Sequence, residues 1–282
     1  MRRLPRPPLI PPADGLERDY AAAIVRRCIA PAQAAIRRSV VPRLGGLLEA
    51  RDAERRADSL VETWEPIQRR LSAISVATMA RVTREAPGMA DRHVRGVAQY
   101  QDRGWMRQVD AVLGIRPALS TDAVNNQIAN LIRLNTDLIV TVPERHFGLI
   151  QAAVEQALDG GMRIETLTER IDRIYHVSEY NARRIARDQT AKVQALIAQE
   201  RQRELGITRY IWRTSQDERV RDTHVANNGQ RFLWSSPPEE TGHPGDDIQC
   251  RCTAEPDFAQ VAGGLIPAMQ AEDFTGAVIE TG

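Results

Sequence analysis

The chain has 282 residues, of which 42% are hydrophobic and 27% are charged, a composition typical of a folded chain with one large or two modest domains. Its 38 basic and 37 acidic residues leave a formal net charge of +1, which gives no reason to expect a dedicated binder of nucleic acids or membrane surfaces. The best apolar run, at 138–142, is far too short to span a membrane, so we expect no membrane partner.

The segment at residues 1–13 is rich in proline and arginine and cannot form a helix or the interior of a sheet, so it predicts an extended arm. Prolines interrupt its apolar residues. It therefore lacks the continuous apolar region of a signal peptide, and we expect no export. Such an arm is either a disordered tail or a segment that orders on a partner, and the sequence leaves both interpretations open.

Residues 14–205 are rich in alanine, arginine, leucine, glutamate and glutamine, and they predict long helices that end at glycines and prolines. We divide them into an N-terminal helical region at 14–118 and a second helical region at 119–205. In the second region, a stripe of mostly apolar residues between Ala182 and Ile197 predicts a helix that packs on the core with one face.

A possible helix-turn-helix at 166–187 supports a DNA-binding alternative. The sequence predicts a turn at 175–178 and a new helix from Ser178 onward. Three arginines of that helix could contact phosphates: Arg183, Arg184 and Arg187. The opposing interpretation is two packed helices with a solvated basic face, and the near-neutral net charge favours it.

The composition changes after Gly206 and predicts a small β-rich module at 206–258, followed by a tail at 259–282. Three stretches rich in β-branched and aromatic residues, ITRYIWRTS, GQRFLWSS and CRCTAEP, alternate with turn residues and predict short strands. The predicted fold class is therefore mainly α with a small C-terminal β-rich module, an α+β architecture.

The β-rich module contains four residues of the types that bind zinc: His224, His243, Cys250 and Cys252. In a short strand at 250–252, both thiols would point to the same face with Cα atoms about 6.5 to 7 Å apart, which suits two thiolates on one metal better than a disulfide. Two histidines and two cysteines would complete a closed tetrahedral zinc site. The spacing differs from that of common zinc fingers, so the alternative keeps both thiols as packed residues at a tight turn.

The remaining histidines and cysteine suggest no site. His93, His146 and His176 lie in the helical part without partnering cysteines, and we expect ordinary polar or partly buried side chains. Cys28 is expected to be a small buried residue.

A charged stretch at 213–224 supports a weaker enzymatic alternative, a metal-dependent nuclease or hydrolase that uses Asp217, His224 and His243. No nucleophile motif or phosphate-binding loop accompanies it. Mixed charges in a turn more often form local salt bridges. We therefore predict that the chain is not an enzyme.

These features occur in an order that resembles the phage Mu F-like family, the minor head or head morphogenesis proteins of tailed phages. The resemblance runs from about residue 120 to residue 256. The residues that carry it are Ala186, Arg187, Trp212, Arg213, Asp217, Arg219, Arg221, His224, Gly229, His243, Pro244, Gly245, Cys250, Arg251 and Cys252.

The resemblance implies a structural minor capsid protein of a tailed phage or prophage, found in the virion at the capsid interior or portal vertex, and in the host cytoplasm during assembly. It implies the portal protein and the major capsid protein as partners, with contact to packaged DNA through local arginine patches. The implied role is procapsid assembly and DNA packaging or delivery. Some relatives carry an enzyme domain beyond the cysteine motif, and since only 253–282 follow it, we expect none. Residues 1–110 show no motif of the family.

Overall fold

A computed structural model gives the structure of residues 4–54, 57–120, 122–160, 162–216 and 218–262. Side chains are described in these ranges except at 49–54, 57–63, 122 and 123. Three parts of the sequence predictions lie outside the described residues: the start of the arm at 1–3, Asp217 and the tail beyond residue 262.

Seven α-helices make up most of the described part of the chain. They are α1 (Asp14–Ile24), α2 (Ala30–Ser39), α3 (Val41–Glu54), α4 (Ala57–Leu113), α5 (Asp122–Gly160), α6 (Ile164–Glu204) and α7 (Asp222–Asn227). A single π-helical turn, Val25–Ile29, joins α1 to α2. None of the described helices has an apolar stretch long enough to span a membrane.

Three strands form one antiparallel sheet with the order β2-β1-β3. They are β1 (Arg209–Arg213), β2 (Arg231–Leu233) and β3 (Thr253–Pro256). In the register of the sheet, Tyr210 lies opposite Phe232, and Trp212 lies opposite Ala254. Each strand lies within one of the three stretches that the sequence predicts. The predicted fold class, mainly α with a small C-terminal β-rich module, is confirmed.

Prolines mark fewer helix ends than the sequence suggests. Pro66 and Pro87 lie inside α4, and Pro143 lies inside α5. A proline in a helix removes a backbone hydrogen bond and costs about 3 kcal/mol. The neighbouring Ala86 and Val142 are buried in a helical core, so tertiary packing around Pro87 and Pro143 offsets this cost and keeps both helices continuous.

Residue contacts divide the described chain into two compact units, each built from segments that are distant in sequence. The first unit contains the described residues of 1–13, 94–129 and 188–282. The second contains those of 14–93 and 130–187. The sheet lies in the first unit.

Two apolar clusters hold the first unit together. One consists of Tyr210, Trp212, Trp234, Cys250 and Cys252. The other joins the end of α4 to the segments before and after the sheet, through Trp105, Val109, Ile207 and Phe258. The end of α4 is therefore part of the same folded unit as the sheet.

The second unit is held together by packing between helices. Its clusters include Ile36, Leu44, Ile150, Leu167 and Ile171 in one group and Ile24, Cys28, Val82, Ile139 and Ala186 in the other. Cys28 is fully buried, as the sequence predicts, and burial raises the pKa of its thiol to about 12.

The predicted turn at 175–178 is wrong, because α6 runs through it without a break. The helix-turn-helix alternative, which the near-neutral net charge already disfavoured, therefore lacks its turn. This stretch contains neither glycine nor proline, and its serine supports the helix, since Ser178 Oγ donates to the Ile174 carbonyl at 2.9 Å. Ala182, one turn further along, is buried and continues the apolar stripe. Arg183 and Arg184 are exposed on this continuous helix.

The described part of the predicted arm, residues 4–13, has no regular secondary structure and contacts its own chain within the first unit. Arg6 pairs with Glu255 of β3 at 3.2 Å. Gln108 of α4 donates to the Pro8 carbonyl at 2.8 Å. Ile10 packs over Gly104 so closely that a Cβ there would lie 2.7 Å from the isoleucine side chain. These contacts fix the arm across α4 and β3.

Arg201 of α6 is expected to contribute strongly to the stability of the first unit. Its side chain is 4% exposed, and it donates to Asp102 at 2.8 and 3.1 Å, to Glu204 at 2.8 Å and to the Ser120 carbonyl at 2.7 Å. Arg201→Ala would leave two carboxylates without their counter-charge, and we expect a loss of about 3–5 kcal/mol in denaturant unfolding. Lys192→Ala, which removes a partly exposed pair on the same helix, should cost under about 1 kcal/mol, and equal losses would contradict this assignment.

His146 is a fully buried histidine of the second unit. Its Nδ1 lies 3.0 Å from Ser178 Oγ, and that hydroxyl already donates to the Ile174 carbonyl, so Nδ1 carries the hydrogen of the neutral ring. No group among the described residues bonds its Nε2. Burial lowers the pKa of His146 to about 4, because protonation at Nε2 would place a charge in an apolar core.

Between pH 7 and pH 5 the chain is therefore expected to lose about 2 kcal/mol of unfolding free energy through His146. The pKa of about 4 in the folded state lies below the ordinary value of 6.5, so the stability present above pH 6.5 is lost as the pH falls towards 4. When the pH falls from 7 to 5, the free energy of unfolding of His146→Gln in urea should decrease by about 2 kcal/mol less than that of the wild type. His176→Gln, which removes an exposed histidine, should keep the wild-type loss. An unchanged loss in His146→Gln would contradict the prediction.

Candidate metal centre

Two short segments bring the candidate ligands together. His224 lies on α7, and Cys250 and Cys252 lie in the loop that leads from β2 to β3. The Trp212 ring of β1 lies perpendicular to the His224 ring with 5.3 Å between ring centres. His224 is 2% exposed, and both cysteines are buried. The site is therefore enclosed by the sheet on one side and the loop on the other.

The loop at 243–252 has a fixed conformation that follows from its sequence. The Asp246 carboxylate accepts from the backbone N–H of His243 at 2.7 Å, and the backbone N–H of Asp246 donates to the His243 carbonyl at 3.0 Å. Gly245 has a φ of +98°, a conformation that residues with a Cβ rarely adopt. The aspartate and the glycine together close a tight turn before the cysteines.

This loop is anchored on α6. A Cβ at Gly245 would lie 2.4 Å from the Cβ of Ala195, so only glycine permits this approach. The backbone N–H of Gln249 donates to Asp188 Oδ1 at 2.8 Å. The loop around Gly245 and the part of α6 from Asp188 to Ala195 thus form one contact surface.

The ligand atoms of His224, Cys250 and Cys252 all lie within 4.8 Å of one another. The Nδ1 atom of His224 lies 3.3 Å from the sulfur of Cys252 and 3.6 Å from the sulfur of Cys250. Both cysteines are free thiols. Within the described ranges, no other set of three or more such residues converges in this way.

The second ring nitrogen of His224 is held by a carboxylate. Its Nε2 lies 3.0 Å from Oδ2 of Asp247, whose carboxylate also pairs with Arg221 at 3.4 Å. An ionised carboxylate can only accept, so Nε2 carries the hydrogen, and in the neutral ring Nδ1 presents a lone pair to the sulfurs. Metal-binding histidines are commonly oriented by a carboxylate in this manner.

The two thiols shift each other's pKa in opposite directions. A hydrogen bond from Cys252 lowers the pKa of Cys250, and the backbone N–H of Gly245, 3.4 Å from its sulfur, acts in the same direction. The hydrogen bond to Cys250 and burial raise the pKa of Cys252. Cys250 is therefore the thiol that ionises first.

A small cavity adjoins the three ligands. Its volume is about 20 Å³, and its lining includes His224, Cys250 and Cys252 together with Arg219 and Arg221. A volume of roughly 10–15 Å³ is enough for one water molecule. The cluster thus has room beside it for one small ligand.

The structure brings together three of the four predicted metal ligands, and His243 is not among them. Its Nδ1 lies 3.0 Å from the hydroxyl of Tyr210, and its ring packs against Trp234 with 5.0 Å between ring centres. Burial lowers the pKa of His243. The reason for the difference is local. His243 lies before the turn at Gly245, on the side of the loop that faces Tyr210 and Trp234.

The predicted strand at 250–252 is wrong. The backbone N–H of Cys250 donates to the Asp247 carbonyl at 3.1 Å, which closes a turn, and β3 begins only at Thr253. Gln249, with a φ of +62°, lies in a turn immediately before the first cysteine. The thiols converge because of this turn rather than because of strand alternation.

Sequence reasoning missed Asp247, although the pair of aspartates that follows Gly245 was a visible signal. The first aspartate caps the turn, and the second reaches His224. The geometry of the site does not support the nuclease alternative. Asp217 lies outside the described residues, and His243 does not join His224 at the cluster.

These features define a mainly helical protein whose small antiparallel sheet carries a buried histidine–cysteine cluster. Residues 149–255 match the family described as "Phage Mu protein F like protein", so the resemblance to Mu F-like head morphogenesis proteins is confirmed over this region. The matched region contains the second part of α5, all of α6 and the module up to β3.

A curated relative from Haemophilus influenzae (strain ATCC 51907 / DSM 11121 / KW20 / Rd), described as "Uncharacterized protein", is 37% identical over 133 residues. The alignment covers 47% of this chain and 30% of the relative, so the chain spans less than a third of the relative's length. No solved structure matches the chain.

Proposed function

We propose that the chain is a structural minor head protein of a tailed phage or prophage, associated with the portal vertex and acting in procapsid assembly and in DNA packaging or delivery. The observation that carries the proposal is the Mu F-like region at 149–255. The chain would then be located in the virion, at the capsid interior or portal vertex, with the portal and major capsid proteins as its partners.

The internal architecture of the matched region supports a scaffold role. The cysteine loop rests on α6 through Gly245, and the Trp234 indole donates to Gln202 of the same helix at 3.3 Å. Arg213 of β1 donates to Glu255 of β3 at 2.7 and 2.8 Å. The loop, the strands and α6 are thus held by specific contacts, as expected of a part that must present one defined surface in an assembly.

The burial of the cluster gives the enzymatic alternative little support. His224 is 2% exposed, and both cysteines are buried. We accordingly expect no enzymatic activity.

Contact with packaged DNA remains part of the proposal, through the exposed Arg183 and Arg184 of α6. Since α6 is continuous, these arginines would meet phosphates without reading bases, and binding should weaken steeply with salt. Duplex binding that disappears when Arg183, Arg184 and Arg187 become alanine would support this contact. Salt-independent binding, or binding that survives the substitutions, would contradict it.

Co-purification with the cognate portal ring tests the proposal. The intact chain is needed, because deletion of residues 1–110 would remove Trp105 and Val109 from the core that they share with Phe258. Recovery of the chain with tagged portal rings, and not with an unrelated portal, is the expected result. Failure to bind portal rings that are correctly assembled would contradict the portal association.

Substitutions at two exposed apolar residues would show which part of the chain contacts the portal. Val76 on α4 is 65% exposed and lies outside the Mu F-like region, whereas Ile248 is 60% exposed and lies within it. Neither side chain belongs to the core, so aspartate at either position should preserve the fold. If the Mu F-like region contacts the portal, Ile248→Asp should lower the recovered amount and Val76→Asp should not.

A further inference from the structure

The buried cluster of the first unit has no part in the proposed head function, and its chemistry points to a bound ion. We propose that His224, Cys250 and Cys252 bind one zinc ion through Nδ1 and the two sulfurs, and that a solvent molecule takes the fourth position. The proposal is independent of the head function, since either could fail without affecting the other.

The distances between the ligand atoms match the edges of a tetrahedral zinc site. With Zn–S bonds of about 2.3 Å and Zn–N bonds of about 2.0–2.1 Å, the nitrogen and each sulfur lie about 3.6 Å apart, and the two sulfurs about 3.8 Å apart. The observed distances from Nδ1 of His224 are 3.3 Å to Cys252 and 3.6 Å to Cys250. All three atoms lie within 4.8 Å of one another. The ion therefore fits with small side-chain adjustments.

The orientation of the histidine favours metal binding. Asp247 accepts the hydrogen of Nε2 at 3.0 Å, which fixes the ring with Nδ1 directed to the sulfurs. A carboxylate in this position also makes the imidazole a better ligand. Asp247 is thus a positioning residue, and it is not one of the three ligands.

Charge balance supports a divalent ion at this place. Two thiolates buried without a counter-ion would be costly, whereas two thiolates and one Zn²⁺ have a net charge of zero. Thiolate and imidazole ligands together select zinc over magnesium or calcium, which prefer oxygen. A neutral site of this kind can lie beneath Trp212, among apolar side chains, at small electrostatic cost.

The small cavity provides the space for the fourth coordination position. Its volume of about 20 Å³ accommodates one water molecule beside the three ligands. His243 does not supply the fourth ligand, because its ring is held by Tyr210 at 3.0 Å and packs on Trp234. The site therefore has three protein ligands, whereas the sequence alone predicted four.

Metal analysis of the intact chain, purified under reducing conditions in the presence of zinc, tests the proposal. We expect one zinc per wild-type chain and at least a tenfold lower content in Cys250→Ser, Cys252→Ser and His224→Ala. His243→Ala is the matched control, since it removes a histidine of the same module, and it should retain the wild-type content. Absence of zinc from the folded wild type would overturn the proposal, and loss of zinc from a folded His243→Ala variant would overturn the three-ligand assignment.

Cobalt substitution distinguishes loss of a ligand from loss of the fold. The wild type loaded with Co²⁺ should show the intense visible bands of tetrahedral coordination and a charge-transfer band from two thiolates. A variant of either cysteine that keeps the near-ultraviolet circular dichroism of its tryptophans should lose about half of the charge-transfer intensity or fail to bind cobalt. A wild-type spectrum without thiolate charge transfer would overturn the assignment even if zinc were found in the protein.

Discussion

Removal of zinc is expected to lower the free energy of unfolding of the wild-type chain by about 4 kcal/mol, if free zinc had been a thousandfold above its dissociation constant. The effect follows from the zinc proposal, because the ligands converge only in the folded module and the unfolded chain holds no equivalent site. His224 lies 26 and 28 residues from the two cysteines, so a shared ion links α7 directly to the loop before β3. The measurement is denaturant unfolding with excess zinc and again with a chelator.

Two variants control this experiment. Cys250→Ser should unfold at the same denaturant concentration with zinc and with chelator, because it lacks a ligand. Cys28→Ala removes a buried cysteine of the second unit and should be destabilised by lost packing, yet it should keep the full response to chelator. A response to chelator of the same size in Cys250→Ser and the wild type would show that the effect arises elsewhere.

Gly245→Ala is expected to destabilise the first unit by roughly 2–5 kcal/mol, as the sum of backbone strain and overpacking. The φ of +98° is unfavourable for alanine, and the new Cβ would lie 2.4 Å from the Cβ of Ala195. Relief of this overlap requires the loop to move away from α6, which would also move the Gly245 N–H from the sulfur of Cys250. Denaturant unfolding measures the loss.

A double-mutant cycle separates the two contributions. Ala195→Gly opens space on α6, so the double variant with Gly245→Ala should be more stable than the sum of the single losses predicts. Gly229→Ala tests the backbone contribution alone, because Gly229 has a φ of +82° and a Cβ there would lie no closer than 3.9 Å to its neighbours. It should cost roughly 1–3 kcal/mol. Strict additivity of Gly245→Ala and Ala195→Gly would contradict the proposed close contact.

Local sequence patterns predicted the elements of this fold well. The sequence shows a helical composition, an apolar stripe from Ala182 to Ile197 and three stretches rich in β-branched or aromatic residues. These patterns depend only on residues that are close in sequence, and the structure contains the corresponding helix and strands. The false turn at 175–178 arose where polar residues interrupt the apolar pattern. Such a pattern does not distinguish a loop from the exposed face of a continuous helix, and the absence of glycine and proline was the better guide.

The association of segments that are distant in sequence could not be predicted from local patterns. The two compact units join segments such as 94–129 and 188–262, whose association depends on which apolar faces meet in space. The candidate site shows the same limit. The residue types alone identified His224, Cys250 and Cys252 as candidate metal ligands. They could not show that His243 faces Tyr210 instead, because its position depends on the turn at Gly245.

Physical contacts connect the features of the Mu F-like region to one another. Asp188 of α6 accepts from Gln249, Gly245 rests on Ala195, and Asp247 holds His224. Helix, loop and cluster therefore depend on one another for their geometry.

The composition of purified procapsids tests most directly whether the chain is a head protein. Procapsids assembled before DNA packaging would be isolated by sedimentation, washed with high salt and analysed by mass spectrometry. The proposed function predicts that the chain sediments with procapsids, in fewer copies than the major capsid protein, and that a portal-deficient assembly lacks it. Procapsids that contain portal protein in the normal amount but none of this chain would contradict the account.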